Sequence, residues 1–315
     1  MQAIELILRR VVLMIVILFA VSFLTFLIVH VLPGDVANAI LGDLATPDQV
    51  ELVRQRMGLN EPVLLRYWHW VTAFASGDFG MSLAYNTPIA PLVFERLANS
   101  VILALISLAV AVPISVALGV LAAMYQGSII DRIITGTVVL FFALPEYVVA
   151  LMLILIFSIW LGWLPGSSLI PPGGSVLANF PAIVLPVTVV TVGMLAYLSQ
   201  VTRASMVAAL RANYVRTADL KGLPGYIVAV KHALRNAMLP ALVEIGLNFG
   251  YTLGGLVIVE TVFSYAGIGQ LLMMAVQSRD IPTIQAVVIV IAAAYGIGNL
   301  IADVISIALN PKLRT

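Results

Sequence analysis

The chain has 315 residues, 62% of them hydrophobic and 10% charged, with a formal net charge of +1 and a mean hydropathy of +1.09. As a soluble protein it would expose far too much apolar surface, so it belongs in a bilayer, and its near-neutral charge excludes the extended basic surface that nucleic-acid binding needs. Cysteine is absent, which excludes disulfides, iron–sulfur clusters and thiol nucleophiles.

Six stretches of largely apolar residues, each long enough for a helix to cross the hydrocarbon while bonding its own backbone, predict an all-α polytopic membrane protein. They are Val11 to Val31, Val101 to Met124, Ile133 to Leu161, Phe180 to Val201, Ala237 to Val259 and Thr283 to Leu309. The first follows Arg9-Arg10, as a secretory signal core would. Its apolar run is longer than such a core and no small-x-small cleavage site follows, so it reads as a retained N-terminal helix within residues 1–31.

Residues 32–100, between the first two spans, carry seven acidic residues and their own helix signals. Thr46-Pro47-Asp48-Gln49 is a capping box with proline at the first helical position, and Gly58 ends that helix. Asn60-Glu61-Pro62 starts a second, with Leu64, Leu65, Trp68 and Val71 at helical spacing and a stop near Gly77. Both are amphipathic and too small for a core of their own. They are expected to lie against the outer ends of the spans, with Trp68, Trp70 and Phe74 near the interface.

Residues 101–315 hold the other five spans. Pro113, Pro145 and Pro186 each remove a helix hydrogen bond in successive spans, as bends that serve as hinges or as static packing. Between the fourth and fifth spans runs a polar loop, residues 203–240, with six of the sixteen Lys and Arg: Arg203, Arg211, Arg216, Lys221, Lys231 and Arg235. Placing the N-terminus inside puts these six, Arg9, Arg10, Arg132, Lys312 and Arg314 in the cytoplasm, and only Arg54, Arg56, Arg66, Arg96 and Arg279 outside. An even number of spans returns both termini to the cytoplasmic side.

Within that loop, Asn213 to Gly222 reads as one short helix, capped by Asn213 and ended by Gly222 in the left-handed conformation. Two turns of helix are unstable alone, so this one must dock on something. Tyr214, Thr217, Ala218 and Lys221 fall on one face. A basic loop that merely obeys the positive-inside rule would explain the charge but not the capped helix and its Pro224-Gly225 turn.

At this point the chain resembles the permease subunits of binding-protein-dependent ABC importers, whose cytoplasmic EAA loop holds a coupling helix. Arg216-Thr217-Ala218, Gly222 and Leu239-Pro240 occupy the places of that motif. Arg-Thr in place of Glu-Ala and the long spacing to Pro240 resemble the dipeptide, oligopeptide and nickel branch. So do His30-Val31-Leu32-Pro33-Gly34-Asp35, Gly58-Leu59-Asn60-Glu61-Pro62, Tyr67-Trp68, Gly77-Asp78-Phe79-Gly80-Met81-Ser82, Glu260 to Gly269, Arg279-Asp280-Ile281-Pro282 and the Asn310-Pro311-Lys312-Leu313-Arg314 tail. The resemblance implies a second related permease, two cytoplasmic ATPases that hold the ATP and Mg, with no cofactor in this chain, and an extracytoplasmic solute-binding protein. It assigns ATPase coupling to Tyr214, Arg216, Thr217, Ala218, Asp219, Lys221 and Gly222. The family carries peptides, metal chelates, opines or sugars, so the resemblance fixes the class of transport and not the solute.

No P-loop is present, because none of the three lysines sits in a Gly-Lys-Ser/Thr sequence; ATP, if used, is hydrolysed by another subunit. Charged side chains at mid-bilayer need partners or water, which singles out Glu146, Glu244 and Asp303. Asn248 shares a helix face with Glu244, and Asn299 with Asp303. These five either line a polar path or contact a cationic solute group, or else are polar ties between helices. Gly246, Gly250, Gly254 and Gly255 form a small-residue stripe suited to a subunit interface or a pathway wall. His30, His69 and His232 are scattered along the chain and show no metal-ligand pattern. Gly267-Ile268-Gly269 reads as an outer turn and not a dinucleotide loop. The rival reading is a carrier driven by an ion gradient, with Glu146, Glu244 or Asp303 titrating during its cycle.

Overall fold

Spanning helices form where apolar residues run unbroken. The computed structural model, which describes residues 2–31, 46–48, 51, 61–169 and 179–309, contains four helices long and apolar enough to cross a bilayer. They lie within α1 (Gln2–Val31), α3 (Ile89–Met124), α6 (Phe180–Leu210) and α10 (Ile281–Leu309). A fifth crossing exists if the bent pair α4 (Ile129–Ala143) and α5 (Glu146–Leu153, continued as a π-helical turn to Trp160) is one span. At the remaining expected position, α8 (Leu234–Val262) is continuous for 29 residues, roughly 43 Å at 1.5 Å per residue. That length is enough to cross, though some of its side chains lie outside the described residues. The described residues form no strands, only one isolated bridge between Met81 and Pro88.

The third expected span differs most from its sequence reading. Pro145 has no amide to donate and pushes Leu144 into an extended conformation (ψ 131°), so α4 stops and α5 leaves at 99°. Pro113 and Pro186 act otherwise: α3 and α6 run on through them, as α8 does through Pro240. The second expected span also starts earlier than its apolar run. With Pro88 as its cap, α3 begins at Ile89, which takes the last twelve residues of the 32–100 segment into a 36-residue helix.

The second amphipathic helix of that segment forms as α2 (Val63–Ala75), capped by Pro62 and followed by Gly77 at φ 94°. The first, starting at Thr46, falls outside the described residues apart from 46–48 and 51. Aromatic contacts tie α2 down: Tyr67 meets Phe23 and Phe26 of α1, Trp70 meets Phe74, and Phe74 stacks on Phe79 at 4.1 Å.

The core sits around α6, whose spanning window is 61% buried, against 11%, 28% and 33% for α1, α3 and α10. Small residues let α3 approach it closely. A Cβ on Gly119 would lie 2.6 Å from Thr202 Cβ and 2.8 Å from the Ser199 carbonyl. At the end assigned to the outside, two buried carboxylates fix α9 (Ile268–Gln277). Glu260 accepts hydrogen bonds from Ser100 Oγ and from the amides of Gly269 (2.7 Å) and Gln270 (3.1 Å), holding the start of α9. Gly267 has no side chain because the Glu260 carboxyl fills that space. Asp280, just beyond α9, accepts from Ser82 Oγ and Thr283 Oγ1 and fastens the 81–88 turn to α10.

Gly119→Val should therefore force α3 and α6 apart. An overpacked core site costs about 1–3 kcal/mol, read as a lower thermal unfolding midpoint in detergent. Gly136→Val, where a Cβ would meet nothing within 4 Å, should leave that midpoint in place.

Candidate functional site

The expected short helix is present as α7 (Asn213–Leu220). It starts at its assigned cap, one residue earlier than expected. The Ala212 carbonyl accepts from the amides of Val215 (3.0 Å) and Arg216 (3.2 Å), so Ala212 holds the cap position and Asn213 is the first helical residue. At the other end Gly222 takes φ 75°, the left-handed conformation that closes a helix.

The helix is seated by its own apolar face. Val215 and Ala218 are buried at 1% and 5% exposure in a cluster with Val120 and Ala123 of α3, Met206 and Ala209 of α6, Val228, Ala229 and Ala233 of the π-helical stretch Val228–Ala233, and Ala237 of α8. Ala218 thus faces the chain itself, not outward with Tyr214, Thr217 and Lys221. The smallness of Ala218 brings α7 close to its own scaffold. Tyr214, Arg216, Thr217, Leu220, Lys221 and Gly222 remain exposed, with Leu220 at 81%. The side chain of Asp219 is outside the described residues.

Arg203 and Arg211 at the start of this loop are used inside the chain. Arg203 Nε and Nη2 each donate to Asp131 at 2.7 Å, and Arg211 Nη2 donates to Gln126 Oε1 at 3.3 Å. Sequence reasoning gave Asp131 no role. A signal was available, since Ser128-x-x-Asp131 at the start of α4 is a capping pattern, and the Ser128 hydroxyl does accept from the Asp131 amide.

Deeper in the membrane segments, a cavity of about 550 Å³ opens between α4, α5, α6, α8 and α10. It brings Glu146, Glu244 and Asn299 to one wall system that also includes Gly193, Tyr197 and Tyr295. Tyr197 donates its hydroxyl hydrogen to Glu244 Oε2 at 3.1 Å. Gly193 stands beside Glu146, where a Cβ would sit 3.5 Å from Oε1. Asp303 lies elsewhere. It pairs with Arg10 of α1 at 3.3 Å in a smaller groove between α1 and α10, where Asn299 is a shared neighbour. The Asn248 side chain is outside the described residues.

The glycine stripe on α8 divides between two uses. Gly246 packs so tightly on α10 that a Cβ would lie 2.5 Å from Ala302 Cβ, and Gly250 meets Asn299, whereas Gly255 lines the cavity. Half of the stripe is spent on contacts within the chain.

Comparison with known proteins bears directly on these features. The family model described as "Binding-protein-dependent transport system inner membrane component" matches residues 115–315, and its N-terminal companion matches residues 3–117. The chain belongs to that family. It is a permease of an ABC importer and not an ion-gradient carrier. Relatives include the glutathione transport system permease protein GsiC of Escherichia coli K12, 37% identical over 297 residues and covering 94% of each chain. Another is the probable peptide ABC transporter permease protein y4tP of Sinorhizobium fredii, 35% identical over 308 residues and covering 98% of each. A solved amino acid ABC transporter with histidines shares the fold at a TM-score of 0.50 and 19% identity, covering 69% of this chain and 91% of that one. The permease is accordingly a multi-pass inner-membrane protein.

In this permease Ala218→Glu would bury a carboxylate in the apolar seat of α7 and lift the helix out. Trypsin cleavage after Arg216 and Lys221 should then rise by about tenfold or more, because local opening exposes the backbone. Unchanged cleavage would mean that α7 does not depend on this seat.

Proposed function

We propose that this permease forms half of the translocation pathway of a peptide importer and receives the motion of ATPase subunits through α7. The partners are a second, homologous permease, two cytoplasmic ATPases that bind ATP and Mg, and an extracytoplasmic solute-binding protein. The chain crosses the membrane six times, with both termini in the cytoplasm. Peptides or similarly small solutes are the cargo, a reading supported by the names of the glutathione and peptide permeases among its relatives.

The observation that carries this reading is the two-sided character of α7. Its inner face is fixed to three spanning helices, while its outer face leaves Leu220 81% exposed beside Arg216 and Lys221. A bare leucine between cations suits a groove with an apolar floor and an acidic rim. ATPase closure would push on this knob and tilt the spans between inward-open and outward-open states. The cavity with Glu146, Glu244 and Asn299 is the portion of the path on this chain, placed where those spans meet. Asp303, paired with Arg10, serves as a tie between α1 and α10 instead.

Leu220→Asp tests the coupling surface without disturbing the chain's own packing. Uptake in cells should fall by about tenfold or more, since a charge placed in an apolar contact costs at least 1–3 kcal/mol, while the amount of permease in the membrane stays the same. Wild-type uptake would remove α7 from the coupling role. Purification of the permease should also bring a P-loop ATPase with it.

A further inference from the structure

We propose that the Asp131–Arg203 pair is the positioning link that carries motion from α7 into α4 and the cavity wall; this rests on the coupling reading above. The pair spans two helices at the end assigned to the cytoplasm. Both guanidinium donors, Nε and Nη2, bond both carboxylate oxygens at 2.7 Å, and Asp131 is only 4% exposed. The same carboxylate accepts from the Gly127 amide (2.9 Å) and from Thr135 Oγ1 (3.3 Å), so it also fixes the turn that precedes α4.

Apolar burial on α4 is slight. Its buried residues are Asp131 and Val138, and it contributes no side chain to the apolar cluster that seats α7. Arg203 stands one turn before Met206 and two before Ala209, both of which form that seat. A displacement of α7 thus reaches α6 by apolar contact and passes to α4 through the ion pair. Arg211 on Gln126 adds a second hold on the same turn.

At its other end α4 terminates in the cavity. Phe141, Phe142 and Leu144 line it, and after the 99° break at Pro145 so does Glu146 of α5. A rigid α4 gripped at one end and hinged at the other converts movement of α6 into a change in the cavity wall. A buried ion pair is a poor means of gaining stability, since apolar side chains of the same size hold as well. What the planar two-pronged contact adds is fixed orientation, which a transmitting link requires.

The chain has no cysteine, so single probe sites can be introduced. In the complex reconstituted with its ATPases, environment-sensitive labels at Ala208→Cys on α6 and Met152→Cys on α5 report movement when ATP is added. Asp131→Asn and Arg203→Lys should each leave the α6 response and ATP hydrolysis in place, abolish the α5 response and lower solute moved per ATP by about tenfold. A full α5 response with unchanged solute moved per ATP would overturn the link. An α6 probe that ignores ATP in the otherwise unsubstituted complex would overturn the coupling reading and this inference with it. If Asp131→Asn fails to accumulate, Arg203→Lys decides the question, because it keeps the charge and removes only the fork.

Discussion

Close contact between α3 and α6 is the constraint from which the remaining architecture follows. Lipid offers no driving force for apolar helices to associate, so small residues must let backbones approach until dispersion holds them. Gly119 against Thr202 and Ser199 provides that approach. With α3 fixed, α6 becomes the most buried of the four long apolar helices and presents different levels of its length to different neighbours. Gly193 and Tyr197 face the cavity, Arg203 holds α4, and Met206 and Ala209 seat α7. One helix therefore connects α7 with the polar interior, and its position decides both.

The polar groups follow a consistent logic along the membrane normal. Glu260 and Asp280 are buried and accept several hydrogen bonds each, an arrangement that ties α9 and the 81–88 turn to the ends of α3, α8 and α10. Glu146 and Glu244 instead stand at a cavity. Asp131 and Asp303 each meet an arginine. Carboxylates that brace the fold thus accept from amides, hydroxyls or guanidinium groups, and Glu244, at the edge of the cavity, accepts from the Tyr197 hydroxyl.

Much of this was legible in the sequence because it is local. Apolar run length located the four long apolar helices, the Pro62 start and Gly77 stop located α2, and Gly222 marked the end of α7, since each signal acts within a turn of the residue that carries it. Other features were not legible for one physical reason: they depend on partners distant in the chain. The inward direction of Ala218 is set by α3 and the Val228–Ala233 stretch, and the role of Asp131 is set by a residue 72 positions away. Prolines show the same limit. Pro113, Pro145 and Pro186 carry identical local chemistry, yet α3 and α6 run on through theirs and the helix breaks at Pro145. Glu146, Glu244 and Asn299 were recognisable as costly polar residues, whereas separating Asp303 from them required knowing that Arg10 lies opposite.

The elbow at Pro145 has a consequence for hydration. The last carbonyls of any helix lack amide donors within that helix, and hydrocarbon cannot supply them. Here α4 ends beside the cavity that Phe141, Phe142 and Leu144 line. The cavity gives the carbonyls at this helix end an open space from which a solvent donor can reach them, where packed hydrocarbon would offer none.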